Sequence, residues 1–390
     1  MHLRTFGEGL PTSGQWRDGF DVADMNGDGH PDIVHGPPRK GGGDPRVFLG
    51  DGHGRWHAWS DTHFPSLGWD YGAVRAGDFD GDGVRDLVVA MHLRGIVTLR
   101  GDGLGGFQRG LPLPGSDPGA GAFSSRALRV TDWDRDGRLD IVALGEGPRL
   151  GRNAGGSFGL RIFLGRPDAW VRRTEPEPAV IFGRALALTH VDERSAAVTA
   201  SSVLGRTDLL CTATDDGGCT RHTIAAVPAR AYVRAVAAGD VDGDGRDDLA
   251  VASVAFAGDA STARLDLLLA GDGGTWRRRP LASRPGVMGV WALAFGDLDG
   301  DGHRDLVGLT QRGETWVFTG DGHGGFRRER HGPPPFPGAC SGSFVSLVDL
   351  DGDAHDEIVA AFGEESSTDD GESRCPSGGG ITAWTARGPG

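Results

Sequence analysis

Six segments of this 390-residue chain place oxygen-bearing side chains at the same four positions of a nine-residue loop, D-x-[DN]-x-D-G-x-x-[DE]. The first has Asp24, Asn26, Asp28 and Asp32. The second has Asp78, Asp80, Asp82 and Asp86, and the third Asp132, Asp134, Asp136 and Asp140. The fourth has Asp240, Asp242, Asp244 and Asp248, and the fifth Asp297, Asp299, Asp301 and Asp305. The last has Asp349, Asp351, Asp353 and Glu357. Carboxylates at positions one, three and five of a tight loop converge on one point. A carbonyl near position seven and the acid at position nine complete an oxygen shell. That is the donor set of a hard cation taking six to eight oxygens, and it predicts about six calcium ions. Gly at position six permits the sharp turn, and Ala354 replaces it in the last copy. An EF-hand is excluded, because the Glu at position twelve is missing and strands, not helices, flank the loops. A plain Asp-Gly turn explains one copy but not six at one spacing.

These loops need elements to hold them. The first aspartates lie 54, 54, 108, 57 and 52 residues apart, and the interval of 108 spans two repeats. A degenerate copy fills it at Leu188-Thr-His190-Val-Asp192-Glu-Arg194, where Arg194 stands in place of an acid and is expected to pair with Asp192. The result is seven units of 50–60 residues. In each, a short apolar strand enters the loop and a β-rich strand such as Leu87-Val-Val-Ala90 leaves it. A third strand ends in a Gly-Asp-Gly turn, and an aromatic (Trp56, Phe107, Trp276, Phe326) opens a fourth. Four antiparallel strands per unit, repeated seven times, predict an all-β, seven-bladed β-propeller. The blades are expected at about 12–65, 66–115, 116–179, 180–228, 229–285, 286–338 and 339–390, the last completed by 1–11 in a single closed domain.

The acid loops, each followed by Asp/Glu-Leu/Ile and a small or branched residue, resemble the FG-GAP/VCBS repeat family, which includes the integrin α-subunit propeller. The resemblance spans nearly the whole chain. It implies a propeller with calcium in its loops, in a family of lectins, adhesion modules and a few polysaccharide-degrading enzymes.

Charge agrees with metal loops. The net charge is −14, and six divalent ions would nearly cancel it. An acidic chain is a poor partner for nucleic acid. No apolar run is long enough to cross a membrane as a helix. Of four cysteines, Cys211 and Cys219 flank a hairpin-like Thr-Ala-Thr-Asp-Asp-Gly-Gly, so they are expected to pair across it, leaving Cys340 with Cys375. The alternative is four buried thiols. Disulfides point to a secreted or extracellular protein, although Met1-His-Leu-Arg-Thr-Phe has no signal-peptide h-region, so any leader is absent from this sequence.

Acid loops on one face leave the opposite face for a ligand. Counting outward from the loops places Tyr71 and His92 together at the far end of blade two. Glu146 and Gln311 take the place of His92 in their blades, and Arg126, Tyr232 and Trp291 precede their loops as Tyr71 does. His35, Arg39, Trp69, Arg94 and Arg149 join the same rim. Such a collar suits a glycan or another extracellular ligand, with aromatic faces against sugar C–H groups. A second reading is a polysaccharide lyase, in which Tyr71 or His92 takes the proton beside a uronate and Arg126 neutralises its carboxylate. A third is an adhesion or scaffold module. Rim residues that only cap strands and pack blades remain the plainest alternative. Arg100-Gly101-Asp102 reads as one more Gly-Asp-Gly turn, not as an integrin ligand.

Overall fold

The computed structural model describes residues 2–39, 43–119, 121–149, 155–174, 181–191, 193–199, 208–224, 231–330, 332–333, 336, 340–364, 375 and 377–387. Its strands form seven four-stranded antiparallel sheets, the blades of a β-propeller. Blade one contains Phe20–Ala23, Asp32–His35, Arg46–Gly50 and Trp56–Ala58; blade two contains Val74–Gly77, Asp86–Met91, Gly95–Gly101 and Phe107–Arg109. Blade three contains Ser125–Thr131, Asp140–Gly145, Leu160–Arg166 and Ala169–Thr174. Blade four contains Leu186–Val191, Arg194–Thr199, Asp208–Ala213 and Cys219–Ile224. Blade five contains Ala231–Gly239, Asp248–Ala257, Ala260–Gly271 and Thr275–Pro285. Blade six contains Val290–Gly296, Asp305–Thr310, Thr315–Gly320 and Phe326–Arg328. Blade seven contains Ser341–Val348, Glu357–Gly363 and Gly379–Arg387, and the N-terminal strand His2–Thr5 completes it against Gly379–Arg387.

The second strand of each blade is its apolar centre. Asp86–Met91 and Asp140–Gly145 are buried along their whole length, because side chains on both faces meet neighbouring sheets. The Gly-Asp-Gly turns close by local chemistry. In blade two, Asp102 Oδ1 accepts the N–H groups of Leu104 and Gly106, both at 2.8 Å. Blade three carries an addition that the repeat does not predict, a two-stranded ribbon of Gly147–Arg149 and Gly155–Ser157.

The chain divides into two compact units, residues 18–49 with 58–224, and residues 1–17 with 50–57 and 225–390. In the former, one core joins blades one and two through Val34, Val74, Leu87 and Phe107. A second joins blades two and three through Val88, Leu128, Ile141 and Phe163. In the latter, Val307, Leu309, Val345, Ile358, Phe362 and Trp384 join blades six and seven. Both expected disulfides are present, Cys211–Cys219 across the outer hairpin of blade four and Cys340–Cys375 in blade seven. Among the described residues no helix is long and apolar enough to cross a membrane.

Candidate functional site

Each acid loop is built from the backbone outward. The position-one carboxylate accepts the amides that follow it: Asp78 Oδ1 takes Gly81 N–H at 2.7 Å and Oδ2 takes Gly83 N–H at 3.0 Å. The position-five carboxylate accepts the amide two residues on, as from Asp301 to His303 at 2.8 Å. Positions four and six take left-handed backbone, at φ 82° and 86° for Gly81 and Gly83. Arg135 at 64° and Ala354 at 68° adopt it without glycine's freedom. The structure thus locates the strain expected at Ala354 and adds one at Arg135.

The position-nine acid does more than complete a shell. In blade three, buried Asp140 accepts Trp133 N–H through Oδ2 and Gly165 N–H through Oδ1, each at 2.7 Å. It staples the loop to the third strand. Asp86, Asp248 and Asp305 do the same in blades two, five and six. Burial pushes these acids up, to about 6 for Asp86 and Asp248 and about 7 for Asp140, Asp305 and Glu357, with neighbouring loop acids adding to the rise.

The carboxylates converge. Five groups bring three acids each within 4.8 Å: Asp78, Asp80 and Asp86; Asp132, Asp134 and Asp136; Asp240, Asp242 and Asp248; Asp297, Asp299 and Asp305; and Asp349, Asp351 and Asp353. In the first loop, Asn26 Nδ2 instead donates to Asp28 Oδ2 at 2.9 Å. Three position-three acids, Asp134, Asp242 and Asp351, each keep a buried Oδ1 with no hydrogen-bond partner. A buried oxygen left unpaired among other carboxylates is costly, and a hard cation satisfies all of them together. The donor set therefore fits such an ion. In the degenerate blade four, Arg194 donates to Asp215 at 2.6 Å, across the outer strands, while Asp192 lies outside the described residues.

The far end of blade two also assembles as counted from the sequence. Tyr71 stacks on His92 with ring centroids 4.7 Å apart. The guanidinium groups of Arg126 and Arg39 lie 5.2 and 5.5 Å from the Tyr71 ring centre. Glu146 accepts from His92 Nδ1 and from Leu93 N–H, both at 2.8 Å, and from Ser124. Leu93 is held in the left-handed region at φ 56° and is exposed. Beside it opens a pocket of about 600 Å³ lined by Leu67, Asp70, His92, Leu93, Arg94, Pro118 and Gly119. Arg126 is already committed. It donates to buried Asp18 at 2.9 and 2.5 Å, and Arg184 lies 3.2 Å from the same carboxylate.

A model of the FG-GAP-like repeat matches residues 24–89 and 297–360, and a model of the FG-GAP repeat matches residues 232–262. The chain carries FG-GAP repeats. The matched FG-GAP segments contain five of the six acid loops, those starting at Asp24, Asp78, Asp240, Asp297 and Asp349. Among solved structures, the chain is similar to one titled "Crystal structure of BBS1N in complex with ARL6DN, soaked with mercury". Identity is 12%, the TM-score is 0.54, and the match covers 99% of this chain and 96% of that one, a likeness of fold alone. No curated protein matches the sequence. FG-GAP repeats and two disulfides together make this an extracellular-type propeller module.

The remaining rim candidates scatter around this FG-GAP frame. His35 is a correction. It is fully buried, with Nδ1 2.7 Å from Gly36 O, and burial lowers its pKa to about 4, so it is neutral and offers no surface to a ligand. Trp69 packs edge-on against Phe64 in the core of blades one and two. Tyr232 and Trp291 share Arg234, whose guanidinium lies 4.4 and 4.7 Å from their ring centres. Gln311 enters through its backbone, donating to Gly289 O at 3.1 Å. Arg149 ends a strand of the added ribbon, and its side chain lies outside the described residues. Sequence reasoning missed Asp18, Ser124 and Arg184, which come from segments far from the residues they hold.

Proposed function

We propose that this protein is an extracellular ligand-binding propeller whose blades are held by calcium in its acid loops. The observation that carries the reading is the set of buried, unpartnered Oδ1 atoms of Asp134, Asp242 and Asp351, each within a three-carboxylate cluster. Bound calcium would supply the positive charge that lets these acids remain ionised side by side. Asp24, Asn26, Asp28 and Asp32 and the five all-acid loops are the ligands, with position nine serving also as the staple. Thermal unfolding tests this directly. Ligation of the native state alone stabilises by about 2.7 kcal/mol per site at a hundredfold excess over Kd. The midpoint should rise steeply with added calcium and fall with chelator. A midpoint indifferent to both would refute the assignment.

For the ligand, the reading favoured is a carbohydrate at the pocket beside His92 and Arg94. His92, with Tyr71 stacked on it, provides a ring, Asp70 and Arg94 provide polar groups, and Leu93 and Leu67 provide apolar surface. Binding is favoured over lyase chemistry because Nε and Nη2 of Arg126 both donate to Asp18, so that edge of the guanidinium is not open to a uronate carboxylate. A glycan array followed by calorimetry on Arg94→Ala is the test. Binding weakened in the variant supports the site. Absence of any bound glycan removes it, and an unsaturated uronate product would restore the lyase reading.

A further inference from the structure

Three of the acid loops carry an arginine on a loop carboxylate: in blade five Arg246 pairs with Asp244 alone, whereas in blades two and three the arginine bridges positions three and five. In blade two, Arg100, at the end of the third strand, places Nε 2.8 Å from Asp80 Oδ2 and Nη2 3.1 Å from Asp82 Oδ2. In blade three, Arg166 places Nη2 2.5 Å from Asp134 Oδ2 and Nη1 2.8 Å from Asp136 Oδ2. The two arginines stand two residues apart in their blades. Gly101 and Gly165 donate to the matching position-nine acids, and Arg100 precedes the first glycine while Arg166 follows the second. The same bridge between positions three and five is thus built twice from different places. In blade three it uses only the outer oxygen of Asp134, whose side chain is 7% exposed, and leaves the buried Oδ1 without a partner. Among the described residues, no arginine pairs with Asp299, Asp301, Asp351 or Asp353 in blades six and seven.

We infer that Arg100 and Arg166 are built-in counter-ions, which keep the loops of blades two and three ordered without metal and make them the weaker calcium sites of the chain. The inference rests on the loops being calcium sites. A fixed positive charge does two things there. It relieves the repulsion among carboxylates in the metal-free loop, and it repels an incoming divalent ion a few ångströms away. In water-like screening, removing one such charge about 6 Å from a divalent ion changes affinity by about tenfold. Calcium should therefore load in two stages, first where no arginine bridges positions three and five and then where one does.

Calcium titration calorimetry on the full chain, with a chelator competition for the tight sites, tests this. The native protein should show at least two affinity classes. In the Arg100→Gln/Arg166→Gln double variant the weak class should tighten by about tenfold, while the metal-free protein unfolds at lower temperature and recovers on calcium addition. Arg166→Lys, which keeps the charge, should retain a weak site in blade three. One affinity class in the native protein, unmoved in the variants, overturns the inference and leaves the calcium assignment standing. No calcium binding by any form overturns both.

Discussion

Glu146 shows how much one buried side chain holds at the rim. Its carboxylate receives His92, the amide of left-handed Leu93 and the Ser124 hydroxyl. Burial raises its pKa, but those hydrogen bonds more than offset the rise and leave it below its ordinary value of 4.5. A depressed acid contributes stability that is complete above the unfolded value and is lost as pH falls through the folded one. Glu146→Gln should cost about 1–3 kcal/mol in urea unfolding near neutral pH, and the difference from the native protein should shrink in acid below about pH 4.5. Ala354 gives the opposite case. At φ 68° a methyl group strains the backbone, while the open surroundings of the equivalent Gly302 show that side-chain space is not the issue. Ala354→Gly should raise stability by about 1 kcal/mol, read as a higher midpoint in chelator. Neither Asp18 beneath Arg126 nor the burial of His35 was legible from sequence. Asp18 lies 108 residues from its partner, and His35 ends a strand, Asp32–His35, that is buried along its whole length.

The loop and the three strands around it act as one element. Asp140 joins two of its parts, so Asp140→Asn would turn an amide toward the Trp133 or Gly165 N–H and leave buried donors facing each other. A loss of about 1–3 kcal/mol is expected even in chelator, where metal ligation plays no part. A destabilisation seen only with calcium present would mean that the staple is unimportant. This double duty escaped the sequence reading because the second partner of Asp86, Asp140, Asp248 and Asp305 comes from a strand 15 to 25 residues away. The loops themselves, the Gly-Asp-Gly turns and the aromatics opening the fourth strands were legible, since each is fixed by neighbours within a few residues. The added ribbon in blade three was not, because its Gly-rich strands lack alternation.

At the scale of the whole molecule, the buried acids Asp86, Asp140, Asp248, Asp305 and Glu357 share one pH signature. Their folded pKa values, near 6 to 7, stand above the ordinary carboxylate range, so the folded metal-free protein binds more protons than the unfolded chain. Stability without metal should then be greatest in mild acid and decline as pH rises through 6 to 7. With calcium bound, deprotonated ligands are needed, and the trend should reverse. Calorimetric midpoints from pH 5 to 8, with chelator and with calcium, should converge in acid and separate as pH rises. Parallel curves would show that the acids do not act together. The seven-fold repeat was legible because its spacing recurs, including the doubled interval that exposed blade four.

The pairing of His2–Thr5 with Gly379–Arg387 bears on how the protein folds. Six sheets are built from neighbouring segments, but the seventh depends on a contact between two strands separated by most of the sequence, the slowest kind to form by chance. Until Gly379–Arg387 docks, the seventh sheet ends in an open strand and His2–Thr5 has nothing to pair with. A molecule caught at that stage should therefore carry an open strand edge and an unpaired segment together. Each is a handle by which half-folded copies can capture one another.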